Sequence, residues 1–250
     1  MKLEELGYLS PSTINLFIRD KSKFIMKIAD VDNFDGSPAT VRGNAVENAV
    51  FSSVVYKHKS IQEFIDEAEA YYWIEIKKLN GEFEDKKIES ERKALQDYIS
   101  VGVPKYQSID DQLIDTQGKI KLELEGVKVP IVGYYDIAFE NHIRDLKTTR
   151  SIPSMIPRST QRQMAIYSQA TQKDVWVDYV SRKNYKSSKV TNVKETIEEV
   201  TAICQGIEKF LNISNDIQEL ANIFYPNLDS WEWDKNSINN AKQLWSIKWY

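Results

Sequence analysis

The spacing of apolar residues changes near residue 119, and this change limits the folds available to the chain. Residues 119–125 alternate strictly between charged and apolar side chains, the pattern of a strand with one buried face. Residues 127–139 and 143–148 continue as strands, and residues 174–181 alternate again after a helix predicted over 159–171. Helical spacing precedes and follows this central part. The order predicts an α/β fold in which a small central mixed β-sheet is flanked by helices.

The predicted helices lie on both sides of the strand region in the sequence. Helices are expected over residues 11–19, 41–56, 61–80 and 84–100, and again from residue 194 onward. No linker forces a second domain, so we expect a single domain over residues 1–250. Within it, residues 57–100 form a helical insertion and residues 194–250 form a helical flank.

Residues 132–147 read as a β-hairpin that carries an acidic pair and a lysine. Asp145 and Lys147 are two residues apart on a strand, so their side chains share one face. A turn at Glu140 and Asn141 places Asp136 opposite Asp145, with the two Cβ atoms about 5 Å apart. Two carboxylates at this separation repel each other unless a cation lies between them. The pattern is typical of a metal-dependent phosphodiesterase.

A second interpretation of the hairpin is a sheet with one buried face, whose charges simply face solvent. The face that bears the charges is, however, too apolar for an ordinary solvent face, because it also holds Val132, Tyr134, Ala138 and Ile143. This composition indicates a partly enclosed surface with charges set into it. The hairpin alone leaves both interpretations open.

Composition excludes several classes of protein. At 250 residues and 42% hydrophobic, the chain can bury a full core. The acidic N-terminus does not resemble a signal peptide, and no window approaches the ~20 apolar residues of a membrane span. Cys204 is the only cysteine, which excludes an intrachain disulfide and a zinc ribbon and fits a cytoplasmic location. The net charge of −4 argues against coating of nucleic acid by bulk charge but permits a local basic groove.

Five short motifs follow one another in an order that resembles the PD-(D/E)XK nuclease superfamily. The resemblance is to its RecB-like exonuclease branch, common in bacteriophages and in CRISPR-adaptation nucleases. Each motif is weak alone, and their order over residues 9–167 carries the resemblance, which implies a restriction-endonuclease-like core. The motifs are Ser10-Pro11-Ser12, Gly43 to Glu47, Gly133 to Asp136, Asp145 to Lys147, and Gln163 to Tyr167.

The resemblance implies phosphodiester hydrolysis with Mg²⁺, for which Mn²⁺ substitutes. Its metal ligands are the carboxylates of Asp136 and Asp145 with the backbone carbonyl of Leu146, completed by Glu47. Lys147 would hold the attacking water and offset charge in the transition state. Gln163 and Tyr167 are four apart on one helix face and are implied to lie beside the scissile phosphate, although ordinary packing would also explain the pair.

Two departures from the family pattern bear on the metal. Glu47 stands where many members have histidine; lambda-exonuclease-like relatives can carry glutamate in the comparable helix, and a hard oxygen ligand suits magnesium. Asp20 and Lys21 stand where iron–sulfur members have a Cys-Pro pair, and the C-terminal cysteines are missing as well. We therefore expect no iron–sulfur cluster.

Contacts with DNA are expected at hydroxyl and basic side chains. The serine motif, Ser10 and Ser12, is one expected contact. Arginines downstream of the hairpin would contact phosphates, namely Arg150, Arg158 and Arg162. The basic run 182–189 is a candidate DNA-contacting loop through Arg182, Lys183 and Lys186, and a solvated strand-to-helix connection explains it about as well.

The leading functional hypothesis is a Mg²⁺-dependent DNA exonuclease in phage or bacterial DNA recombination and processing. Alternatives are a structure-specific or restriction-type endonuclease of the same fold, or a non-catalytic DNA-binding subunit. Intact Asp136, Asp145 and Lys147 argue against the last of these. The resemblance implies linear DNA with ends as the substrate and a single-strand annealing or recombination protein as a partner. It implies no membrane association and is compatible with a homo-oligomer.

Overall fold

The computed structural model describes residues 3–31, 36–79, 83–230, 233 and 235–245. Its helices, in chain order, are α1 (Leu3–Leu6), α2 (Pro11–Arg19), α3 (Lys21–Ile28), α4 (Pro38–Val55), α5 (Ile61–Ile76), α6 (Asp85–Gln107), α7 (Arg158–Thr171), α8 (Val193–Leu211), α9 (Ile217–Ala221) and α10 (Lys235–Leu244). Its strands are β1 (Leu113–Thr116), β2 (Lys119–Leu122), β3 (Ile131–Tyr134), β4 (Ile137–Phe139), β5 (His142–Thr148), β6 (Asp174–Val180) and β7 (Tyr185–Lys189). No helix within these described ranges is long and apolar enough to cross a membrane.

The chain divides into two compact units, each assembled from separate segments. The first unit consists of Met1–Phe34, Ile120–Gly133 and Asn192–Tyr250, and the second consists of Asp35–Lys119 and Tyr134–Thr191. The predicted α/β class is confirmed, because a mixed five-stranded sheet is flanked by helices. The single domain expected over residues 1–250 stays a prediction.

The first unit is mainly helical. Its helix α2 begins at the predicted residue because Ser10 accepts a hydrogen bond from the Thr13 amide at 3.1 Å and Pro11 follows in the first turn. Helix α3 starts directly afterwards, capped by Asp20, which also accepts a hydrogen bond from the Trp233 indole at 3.1 Å. The C-terminal helices of the flank predicted over 194–250 belong to this unit; residues 231, 232, 234 and 246–250 lie outside the described residues.

The second unit contains the five-stranded sheet in the order β1-β4-β5-β6-β7. Strands β5 and β6 are parallel, and the other neighbouring pairs are antiparallel. A parallel pair needs a crossover connection, and α7 supplies it. The strand β5 therefore lies at the centre of the sheet, next to the helix that follows it in the chain.

Helices cover both faces of this sheet. Helices α4, α5 and α6 pack on the face that presents Leu146 and Val180, where they form the main hydrophobic core. Gly102 allows α6 to approach α4 closely, since a Cβ there would lie 2.8 Å from Val50. Helix α7 lies against β5 and β6 on the opposite face, which bears Asp145. The face with the acidic residue is therefore partly enclosed, which agrees with the first of the two interpretations that the sequence left open.

Several predicted element boundaries were wrong. The strand predicted over 127–139 is interrupted: β3 ends at Tyr134, β4 begins at Ile137, and the two belong to different sheets. Most of the basic run 182–189 is not a solvated connection, because residues 185–189 form β7 and pair with β6, while residues 182–184 form an exposed turn. The sequence of β7 does not alternate between polar and apolar residues, because polar side chains stand at successive positions of this edge strand. The strand forms through its backbone hydrogen bonds without an apolar face, so alternation did not predict it.

Candidate active site

Asp145 and Lys147 form the centre of the candidate site, on one face of β5. The Asp145 side chain is fully buried, and Lys147 Nζ lies 2.9 Å from its Oδ1 and 2.8 Å from its Oδ2. Burial alone would lower the pKa of the Lys147 ammonium, but the carboxylates of Asp145 and Asp136 outweigh burial and raise it. Lys147 therefore stays protonated at neutral pH. The predicted proximity of these two side chains is confirmed.

Asp136 lies beside this pair, just before β4. The β4–β5 register pairs Ile137 with Arg144, so Asp136, the residue before β4, lies close to Asp145, as the predicted turn required. Its Oδ2 accepts a hydrogen bond of 3.1 Å from the Leu146 amide. Burial, and then the charges of Asp145 and Glu47, raise the pKa of Asp136 well above its usual value. The acidic groups are therefore close enough to repel one another.

Glu47 approaches the same charges from α4. Its Oε1 accepts a hydrogen bond of 2.8 Å from Gln117 Nε2. Burial raises the pKa of Glu47 to about 7; Asp145 adds to the rise, while Lys147 and Gln117 oppose it. The electrostatic influence of Lys147 and Asp145 on Glu47 indicates that the helix carboxylate belongs to the same charged cluster.

Gln163 and Tyr167 connect α7 to this cluster. Gln163 Nε2 donates to Asp145 Oδ1 at 3.3 Å and to the Tyr167 hydroxyl at 3.0 Å. The Tyr167 hydroxyl in turn donates to the Tyr134 carbonyl at 2.7 Å. Burial raises the pKa of Tyr167 to about 12. The predicted pair is therefore linked to Asp145 by hydrogen bonds, which packing alone does not require.

The donor atoms of the cluster fit a hard divalent cation. Asp145 Oδ2 is buried and, despite the nearby ammonium, receives no well-directed hydrogen bond from the described residues. Carboxylate oxygens with surplus negative charge are the donors that Mg²⁺ and Mn²⁺ prefer. In the described part of the chain, no three acidic, histidine or cysteine side chains converge as a complete metal-binding group. The roles of Asp136, Asp145, Glu47 and the Leu146 carbonyl as metal ligands stay predictions.

The predicted DNA-contacting residues are found in different surroundings. In the first unit, the hydroxyls of Ser10 and Ser12 lie 2.8 Å apart. The Arg150 side chain is 87% exposed, with one nitrogen 3.3 Å from Glu91, and Arg158 is exposed at the start of α7. Arg162 is buried, which does not suit the surface phosphate contact predicted for it.

The basic run after β6 also divides into two groups. Arg182 and Lys183 are exposed in the turn between β6 and β7. Lys186 instead donates through Nζ to the carbonyls of Ser154 at 2.8 Å and Pro153 at 3.2 Å. Lys186 therefore holds the loop between β5 and α7, a role that a run of basic letters does not reveal.

Two residues of the site were not predicted from the sequence. Gln117 binds Glu47, and Tyr134 supplies the carbonyl that receives the Tyr167 hydroxyl, while its own side chain is 54% exposed. The Gln117-Gly118 pair before an alternating strand is a turn signal. Nothing in the local sequence points from that turn to a helix 70 residues earlier.

Comparisons with known proteins add little to this description. No family model matches the sequence, and no curated protein matches it. Among solved structures, the crystal structure of SSO0001 is similar at 11% identity, with a TM-score of 0.35 over 67% of this chain and 97% of that chain. A similarity at this level carries no argument, so the functional interpretation depends on the geometry of the site.

Proposed function

We propose that the protein is a Mg²⁺-dependent DNA exonuclease of the RecB-like branch of the PD-(D/E)XK superfamily, with a restriction-endonuclease-like core. One observation carries the proposal: Asp136 and the Asp145–Lys147 pair meet at adjoining strands, and Gln163 from α7 binds the same Asp145. An ordinary solvent face would not bury a carboxylate completely beside two other acidic groups.

The metal would be held by Asp136 and Asp145, with Glu47 and the Leu146 carbonyl as further ligands. When bound, Mg²⁺ supplies an acidified water and positive charge at the phosphate. The chain's own groups complete the chemistry. Lys147 keeps its proton and stabilises negative charge that develops on the phosphate. Gln163 fixes the orientation of the Asp145 carboxylate through its hydrogen bond to Oδ1.

Tyr167 serves as a hydrogen-bond donor and not as a base. Its hydroxyl proton is directed at the Tyr134 carbonyl, and its raised pKa of about 12 keeps the phenol neutral at physiological pH. The hydroxyl also accepts from Gln163, so it restrains the amide that contacts Asp145. Loss of this hydroxyl would leave the Gln163 amide less restrained against Asp145.

We infer dependence on a DNA end, or on an unusual DNA structure, from the RecB-like motif order together with a sequence in which no base-reading module, such as a zinc finger, is recognisable. A free-running endonuclease without base readout would damage host DNA. Exposed Arg150, Arg158, Arg182 and Lys183 would contact backbone phosphates without reading sequence. We place the activity in recombination or processing of linear DNA in the cytoplasm of a bacterial or phage-infected cell.

The decisive experiment compares end-labelled linear duplex with covalently closed circular duplex in Mg²⁺, Mn²⁺ or EDTA. The expected result is loss of label from linear DNA with either metal, intact circles, and no cleavage in EDTA. Asp145→Asn serves as the matched inactive control. Discrete fragments from closed circles would indicate an endonuclease with the same chemistry. Absence of cleavage of every substrate by the unaltered protein would overturn the proposal in favour of a non-catalytic subunit.

A further inference from the structure

Gln117 has a backbone conformation that side chains rarely adopt. Its φ is +56°, in the left-handed region, where only glycine is free of steric cost. It lies in the short turn between β1 and β2, and its side chain is exposed. Left-handed non-glycine residues persist where surrounding contacts hold them, and they cluster at functional sites. The contacts of this turn therefore indicate what the conformation serves.

The turn is fastened to the chain segment that carries Asp136. The Gln117 amide donates to the Asp136 carbonyl at 2.9 Å, and the Tyr135 amide donates to the Gly118 carbonyl at 3.0 Å. Gly118 makes this approach feasible, because a Cβ there would lie 2.1 Å from the Tyr135 ring. The backbone of Gln117 therefore has a fixed position relative to Asp136.

The side chain of the same residue reaches the helix carboxylate. Gln117 Nε2 donates to Glu47 Oε1 at 2.8 Å, while Asp136 is bound by the Gln117 backbone. Gln117 thus bridges two of the three acidic residues of the site. Its amide is neutral, so it orients the Glu47 carboxylate without cancelling the negative charge that attracts a cation. Within the described residues, no hydrogen bond to the other Glu47 oxygen, Oε2, is found.

We propose that Gln117 is a positioning residue for divalent-cation binding, which holds Glu47 in place relative to Asp136; this inference rests on the proposed function. A glutamate on a helix otherwise samples several rotamers, and ordering it on metal binding costs entropy. Hydrogen bonds from outer residues to metal-ligating carboxylates remove that cost, and their loss typically weakens metal affinity about 10- to 100-fold.

Gln117→Gly removes the side-chain hydrogen bond to Glu47 and keeps the backbone hydrogen bond to Asp136. Glycine accepts the left-handed conformation, so the turn keeps its shape while the amide is lost. Gln172→Gly is a matched control: Gln172 is also a glutamine with φ +58°, and its amide contacts the Gln169 carbonyl and not a carboxylate. Both variants should melt at or above the temperature of the unaltered protein.

The test measures Mn²⁺ binding by calorimetry without DNA, together with the Mg²⁺ dependence of DNA cleavage. Gln117→Gly should bind Mn²⁺ about 10- to 100-fold more weakly, whereas Gln172→Gly should bind like the unaltered protein. In a Glu47→Gln background, Gln117→Gly should produce little further loss, because its effect acts through Glu47.

The outcomes separate this inference from the proposed function. If the protein cuts DNA and Gln117→Gly binds Mn²⁺ with unchanged affinity, the positioning role is overturned and the nuclease proposal stands. If the protein binds Mn²⁺ but cuts no DNA, and Gln117→Gly weakens the binding, the positioning role stands and the nuclease proposal falls. The positioning role would be overturned if Gln117→Gly lowered Mn²⁺ affinity equally with and without Glu47→Gln. It would also be overturned if the unaltered protein did not bind Mn²⁺.

Discussion

The backbone amide of Leu146 donates a hydrogen bond of 3.1 Å to Oδ2 of Asp136. Leu146 lies between Asp145 and Lys147, so this bond attaches the Asp136 carboxylate to the strand that carries both of those residues. The bond also opposes the rise in the Asp136 pKa that burial and neighbouring carboxylates produce. One contact therefore contributes both to the fold and to the charge of the site.

Asp136→Asn and Asp136→Ala should separate these two contributions. Asparagine keeps an acceptor for the Leu146 amide and removes a repelled charge, so the free energy of unfolding should not fall. Alanine leaves the amide without its partner and should cost about 1–3 kcal/mol. Both should lower DNA cleavage at least about 100-fold, because each removes a metal ligand. Urea unfolding and DNA digestion check this, and cleavage near the unaltered rate in either variant would refute the assignment of Asp136.

Lys147→Met should destabilise the protein because it leaves the buried Asp145 carboxylate without its cation. Removing one partner of a buried pair costs about 3–5 kcal/mol, and we expect the lower end because the Lys147 side chain is 38% exposed. Asp145→Asn combined with Lys147→Met should recover most of this loss. Saturating Mg²⁺ should also stabilise the single variant more than the double variant, as measured by thermal melts. Equal stability of the single and double variants would show that the Asp145 carboxylate without its cation costs nothing, and would contradict this reason for the loss.

Glu47 should make stability depend on pH. Its pKa rises from an ordinary 4.5 to about 7 in the folded protein. Below pH 4.5 the folded and the unfolded chain both carry the proton, so ionisation of Glu47 takes nothing from the free energy of unfolding there. As pH rises from 4.5 to 7, the unfolded chain ionises first, and the free energy of unfolding falls. Glu47→Gln removes this titration. In metal-free urea titrations, the free energy of unfolding of the unaltered protein should therefore fall relative to that of Glu47→Gln across this pH range. A difference that does not change with pH would contradict the raised pKa.

Local periodicity predicted which site residues share a face, whereas the family resemblance predicted that Glu47 and the helix pair join the hairpin. Asp145 and Lys147 share a strand face, Asp136 meets them across one turn, and Gln163 and Tyr167 are four apart on a helix. These relationships follow from strand and helix geometry alone. The structure adds which of them touch, above all the hydrogen bond from Gln163 to Asp145.

Several contacts between distant segments could not be predicted from the sequence. Gln117 meets Glu47 across 70 positions, and Lys186 binds carbonyls of a loop 32 and 33 residues earlier. A basic letter does not distinguish an ammonium that binds backbone from one that binds phosphate. In the same way, Asp178 alternates within β6 like a solvent-facing residue, yet its side chain is fully buried.

Asp178 is held on the face of the sheet opposite Asp145. It accepts hydrogen bonds from the hydroxyls of Tyr106 at 2.8 Å and Tyr185 at 2.9 Å, and Arg144 lies 3.0 Å away. Burial and the Asp178 charge raise the pKa of both tyrosines, which keeps them as neutral donors. The carboxylate therefore has its partners supplied by β5, β7 and α6.

Arg144→Met should destabilise the protein by about 3–5 kcal/mol, because it leaves Asp178 buried without a cation. Lys189→Met is the matched control: its partner Asp174 is exposed, and loss of such a pair should cost at most about 1 kcal/mol. Because Arg144 faces away from Asp145, DNA cleavage per folded molecule should stay within about twofold under conditions where Arg144→Met remains folded. Urea unfolding and cleavage rates at low temperature test both statements. If a fully folded Arg144→Met protein loses its cleavage activity, the charged cluster around Asp178 acts on the site, and the two faces of the sheet are not functionally separate.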